Sequence, residues 1–184
     1  HTYAIALSNI ARAYSALEDY PQALEYGLQG LAMMEQLDDS ASASYVLDAL
    51  GNISLRMGDY AQALNHLQRS LQIKHDIGDP KGQAETQLLL AKLYELQDSR
   101  DEAKCALKAA LALSQDIGAP AETSKAHQNL AKLYQTKGEY KQAFLHLEQY
   151  IKIKEKTSSD LSAQRLQSLQ VKFETEQTEK EKEI

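Results

Sequence analysis

An all-α solenoid of four helix-turn-helix repeats closed by a C-terminal helix is predicted by three observations: a fixed period, columns of small residues, and recurring helix-cap pairs. Sliding the sequence by forty residues superimposes Leu130-Ala-Lys-Leu-Tyr134 on Leu90-Ala-Lys-Leu-Tyr94, Leu50-Gly-Asn-Ile-Ser54 and Ile10-Ala-Arg-Ala-Tyr14. Each copy is followed at the same offset by an alanine: Ala23, Ala63, Ala103 and Ala143. A period of this length means stacked units, none of which can bury its apolar face without a neighbour.

The elements follow in order. Ile5, Leu7, Ile10, Ala13, Tyr14 and Leu17 mark one face of an amphipathic helix. Asp19 then offers an N-cap oxygen, Pro21 sits in the first turn, and Gln22 stands where a capping partner belongs. The second helix runs through Ala23, Leu24, Leu28, Leu31 and Met34 to about Leu37, and Asp38-Asp39-Ser40 supplies the break and the next cap. In the second unit Gly58 is placed to take the left-handed conformation that ends a helix, and Asp59 with Gln62 caps the next. Ser99 with Glu102 takes that part in the third unit. Gly78-Asp79-Pro80 and Gly118-Ala119-Pro120 mark joints between repeats, and both prolines fit the first helical position because they lack a donor.

This reading gives repeats at approximately 1–40, 41–80, 81–120 and 121–158, each a pair of antiparallel helices, and a helix over 159–184. In that last helix Leu161, Leu166, Leu169 and Phe173 form an apolar stripe expected to cap the fourth repeat. The run Glu174-Thr-Glu-Gln-Thr-Glu-Lys-Glu-Lys-Glu183 is expected to continue it as a solvated linker. Glu176 and Lys180 fall where a coiled coil needs apolar residues.

Bulk composition excludes several classes. A net charge of -6 argues against a general nucleic-acid binder. Cys105 is the single cysteine, which leaves no disulfide framework and no thiolate metal site and suits a reducing, cytoplasmic setting. No apolar run reaches membrane-spanning length, and no signal-peptide core is present. The chain opens on His1 and enters directly into helical pattern, so a longer parent protein is expected.

The pattern Leu-Ala/Gly-x-x-Tyr, with an alanine twelve residues after its small residue, is similar to the tetratricopeptide repeat over about Thr2 to Lys156. That family's usual period is about 34 residues, so a period of forty resembles its long-helix type. The resemblance implies a right-handed superhelical solenoid whose first helices line a concave, peptide-holding face. The columns have a packing reason. Ala11, Gly51, Ala91 and Ala131 are small where the second helix approaches, and Ala23, Ala63, Ala103 and Ala143 serve that contact from the other side. Enlarging one would overpack the joint by about 1 to 3 kcal/mol. Ser54 departs from the tyrosine column, Arg100 from the aromatic column of Tyr20, Tyr60 and Tyr140, and Tyr150 from the column of Gly30, Ser70 and Ala110. The stretch Leu169-Gln-Val-Lys-Phe-Glu-Thr-Glu continuing to Ile184 resembles the helix that leads from such repeats into an output domain in bacterial signalling proteins, such as a cyclase, histidine kinase or transcription regulator.

The expected groove residues are Asn9 and Arg12 in repeat one; Asp48, Asn52 and Arg56 in repeat two; Lys92 in repeat three; and Lys125, Gln128, Asn129 and Lys132 in repeat four. Arg12, Asn52, Lys92 and Lys132 recur at intervals of forty and form a mostly basic ladder. Asn can pair with a peptide backbone and Arg or Lys with a carboxylate, so the expected partner is a peptide with acidic residues. Ser8, Asp48, Leu88 and Gln128 on the neighbouring turn do not reproduce the paired clamp that grips chaperone tails. The same polar residues could equally be an ordinary solvated helix face.

No catalytic residue, metal ligand or cofactor site is expected. His66 and His146 share a column two repeats apart, too far to share a metal, and His75 lies nine residues beyond His66, on another side of the helix. His127 is expected to be a packed histidine and Cys105 a small packed side chain. Gly-rich phosphate loops and nucleophile elbows are missing from the sequence. The predicted function is a protein- or peptide-binding scaffold, the regulatory input module of a larger signalling protein; the alternative is a free-standing adaptor or assembly factor. Tyr3, Ile5, Leu7 and Ile10 have no upstream helix to cover them, so the fragment is expected to be a monomer or a weak end-to-end dimer.

Overall fold

The computed structural model describes residues 2–158. Helices follow one another as α1 (Thr2–Ala16), α2 (Tyr20–Gln36), α3 (Ser40–Met57), α4 (Tyr60–Asp76), α5 (Pro80–Leu96), α6 (Arg100–Asp116) and α7 (Pro120–Thr136). Residues 140–158 form a further helix, α8. The described residues contain no strand. The expected capping and linker helix over 159–184 lies outside the described residues.

Caps set the boundaries. Asp39, Asp59 and Asp79 each accept the backbone N–H three residues on, at 3.0, 3.0 and 2.8 Å. Pro80 and Pro120 open α5 and α7. Gly58 takes φ 79° after α3, and Asp98 takes φ 56° at the same place after α5. Ser99 differs from expectation: its side chain makes no capping bond to α6. Arg100 instead donates to Asp98 at 2.9 Å, fixing that turn from the far side.

Successive helices pack on one another throughout α1 to α7. Each odd-numbered helix also approaches the next odd-numbered one, whereas α2, α4 and α6 show no such backbone approach. The stack therefore bends toward the odd helices, which line its inner side. A gap of about 610 Å3 opens on the outer side between α4 and α6, over Leu90 and Tyr94 of α5. Cys105 lies in that gap and is exposed, in contrast to the packed position expected of it.

The small columns do what their spacing predicts. Ala11, Ala91, Ala23, Ala63 and Ala103 are almost wholly buried. A Cβ built on Gly51 would come within 2.7 Å of Leu67 and 3.5 Å of the Ala63 carbonyl, so α3 and α4 meet there with no room to spare. Among the described residues the apolar core forms two clusters, one around Leu31, Met34, Leu47 and Leu50, the other around Leu67, Leu90, Leu107 and Leu130. At the first end Tyr3 and Ile10 are exposed, but Leu7 is buried, so the apolar patch there is smaller than expected.

Candidate functional site

The ladder residues lie on the inner helices. Arg12, Lys92 and Lys132 are exposed and Asn52 is half-buried. Arg12 donates to Asn9 at 3.1 Å, one helical turn back. Arg56 and Lys125 are exposed, and Gln128 and Asn129 are half-buried. Lys132 does not stand alone: it lines a depression with Glu95, Asp98 and Arg100. Partial desolvation in that depression holds the carboxyl of the otherwise exposed Glu95 above its usual range, with the Lys132 charge acting the other way. The fourth rung is thus partly countered by an acid.

Asp48 is the clear departure. It is buried, and its carboxylate is paired with Lys74 of α4, whose side chain is fully enclosed. Lys74 also donates to Thr86 of α5 at 2.9 Å, and the Thr86 hydroxyl reaches Asp48 Oδ1 at 2.9 Å. The group offers no open carboxylate to a ligand. Instead it joins repeats two and three, and Lys74 lies 4.4 Å beneath the centre of the Tyr45 ring. Tyr45 in turn donates its hydroxyl to Asp79, the N-cap of α5, at 2.8 Å. That bond and partial burial push the Tyr45 pKa up to about 12. Tyr45 therefore stands on the inner face with its ring fixed at both ends.

The histidines pair across helices. His127 of α7 is buried, and its Nδ1 lies 2.9 Å from Nδ1 of His146 on α8. One ring must donate and the other accept, which requires at least one to be neutral. Tyr134 stacks on His146 with ring centres 5.4 Å apart, and the Lys104 ammonium sits 4.9 Å from the Tyr134 ring centre. Burial lowers the pKa of both histidines, and the charges of His127 and Lys108 lower His146 further.

This sets a sign for pH dependence. In the unfolded chain these histidines take up protons near pH 6.5, while in the fold they do so only at lower pH. Their contribution is complete above about pH 6.5 and declines as pH falls through that value toward the folded ones. Urea unfolding at about pH 7.5 and about pH 5.5 is expected to show lower stability at the acid end. Glu85 and Glu95, raised by desolvation, act with the opposite sign, so the comparison is made with His127→Leu, the residue of that column at Leu7 and Leu47. The variant is expected to lose part of the slope; an identical slope would remove the pair as its source.

Among the described residues no cluster of three or more His, Cys, Asp or Glu side chains is arranged to hold a metal. No described helix is long and apolar enough to cross a membrane.

A bent stack of helix pairs with an inner, partly basic face defines a helical-repeat scaffold. The chain belongs to the tetratricopeptide repeat family: models of that repeat match residues 4–37, 39–116 and 124–157. No curated protein sequence matches it. Solved structures do. BtubC (BKLC) from P. vanneervenii superposes with a TM-score of 0.76 at 20% identity, over 84% of this chain and 64% of that one. The apo form of RapI gives 0.77 at 14% identity over 85% and 57%, and MamA gives 0.66 at 16% over 85% and 81%. The chain thus spans less than two thirds of the first two. At these identities the likeness is one of fold, and the fold is that of a protein–protein interaction module.

Proposed function

We propose that the inner face lined by α1, α3, α5 and α7 binds an extended or helical peptide that carries acidic residues. The observation behind this reading is the exposure of Arg12, Lys92 and Lys132 on the inner helices α1, α5 and α7, on a chain whose net charge is -6. A basic strip on an acidic protein is selective for the charge of its partner, because the surrounding acids repel competing acidic surfaces. The resemblance of Leu169 to Ile184 to signalling linkers supports reading the repeats as the input side of a larger regulatory protein, with peptide capture as the signal received.

The test is a displayed library of random short peptides, selected on the full 184-residue chain. Acidic peptides are expected to be enriched, and the variant Arg12→Glu/Lys92→Glu/Lys132→Glu should bind the selected peptides at least about a hundredfold more weakly, with wild-type helicity by circular dichroism. Enrichment of neutral or basic peptides, or unchanged binding by the folded triple variant, would sink the reading.

A further inference from the structure

The three joints between repeats are not equivalent on the inner face. Where α1 meets α3 the structure leaves an apolar notch of about 130 Å3, floored by Ala11, Gly27 and Leu50 and walled by Ala49 and Ile53. Its origin is legible in the columns. Gly27 stands where repeats two and three carry Leu67 and Leu107, and Ala49 stands where repeat three carries Leu89. At the next joint both positions are therefore leucine, Leu67 and Leu89, and at the following one they are Leu107 and Asn129. Only the first joint has small residues at both places: Leu50 leans over Gly27, within 2.7 Å of where a Cβ would stand, and the space opens beside Ala49.

The rim is polar and held in place. Ser8, Asn9, Arg12 and Tyr45 border the notch. Arg12 gives one of its donors to Asn9, which orients the guanidinium and leaves other N–H groups for a carboxylate. The Tyr45 ring is fixed by its bond to Asp79 and by Lys74 beneath it. Little rotamer freedom remains to be lost on binding, which favours affinity. In size the notch resembles an apolar cavity of about 150 Å3, enough to hold one benzene.

We propose that this notch anchors a single aliphatic side chain, valine, isoleucine or leucine, of a peptide whose adjacent carboxylate lies on Arg12. The proposal rests on the peptide-binding reading of the inner face and names the feature of the peptide that reading leaves open. The groove binds by charge along its length and reads one apolar residue at its first joint.

The same displayed library tests it, on the wild-type chain and on Ala49→Leu. Leucine is tolerated in this column, since Leu89 occupies it in repeat three, and a thermal melt checks that the variant folds. Peptides selected on the wild type are expected to carry Val, Ile or Leu beside an Asp or Glu. The best of them should lose about tenfold or more in affinity when that aliphatic residue is changed to glycine, and a similar factor on Ala49→Leu. The two changes together should lose no more than either alone, because one empties the notch, the other fills it, and both remove the same contact. Acidic peptides without an aliphatic preference, or a selected peptide that binds Ala49→Leu unchanged, would overturn the anchor and leave the groove standing. Failure to enrich acidic peptides at all would overturn both.

Discussion

Asp48→Ala is expected to destabilise the protein by about 3 to 5 kcal/mol, as removal of one partner from a buried ion pair does. Lys74 has no exposed side-chain surface, so loss of the carboxylate strands its ammonium with Thr86 as its polar partner. Exchanging all three residues should behave differently. At the first joint the same columns hold Ser8, Met34 and Val46, and Met34 and Val46 are buried there. Asp48→Ser/Lys74→Met/Thr86→Val therefore transplants a packing arrangement already present one repeat away. It is expected to lie within about 2 kcal/mol of the wild type, or above it, since apolar replacement of a buried pair is often neutral or stabilising. Urea unfolding of both variants checks this. A single exchange costing under about 1 kcal/mol would show that Lys74 reaches solvent easily, and a triple variant as weak as the single would show that the joint cannot be repacked.

The pair has a consequence on the inner face, because Lys74 also supports the Tyr45 ring. The triple variant removes that support while keeping the joint packed. Peptide binding at the notch should therefore weaken in the triple variant even where stability is recovered, which separates what the buried charges do for the fold from what they do for the surface.

The fold was legible because its determinants repeat. A period of forty, alanines at fixed offsets and Asp-x-x-Gln caps each report on contacts within a helix pair, and the same contact is written several times. The exceptions are contacts made once. Asp48 sits on a polar helix face like Ser8 and Gln128, and nothing in α3 alone says that its partner is twenty-six residues away. The signal lay in the other helix: Lys74 occupies a column held by Met34 and Ser114 in repeats one and three and by Lys154 in the terminal repeat, and a lysine buried inside the stack requires an acid. His127 and His146 were legible in the same way. Comparing His66 with His146 follows one column along the stack, whereas the contact runs across the pair, from His127 to the position that is Tyr26 in repeat one. There Tyr14 stacks on Tyr26 as Tyr134 stacks on His146. The notch is written in the columns only as missing bulk, at Gly27 and Ala49, which the pattern of a single helix does not flag.

Leu67→Ala is expected to cost about 2 to 5 kcal/mol, the usual range for emptying a packed leucine site. Leu67 is fully buried, and its side chain packs directly against the backbone of Gly51. Leu147 occupies the same column in repeat four, yet 45% of it is exposed among the described residues. It belongs to a stripe with Tyr140, Phe144 and Ile151, all exposed, on the face of α8 that a following helix would cover. A terminal repeat with such a face requires a cap. Leu161, Leu166, Leu169 and Phe173 are the next apolar residues at helical spacing in the chain. If they supply the cap, Leu147→Ala must cost the 184-residue chain well over the ~0.5 kcal/mol typical of a surface exchange, and the cost must fall when Leu166 and Phe173 are first replaced by serine. That coupling is the expected result. A Leu147→Ala penalty near zero in the otherwise intact chain would instead leave the α8 stripe as an open apolar surface, available to a second copy or to a partner.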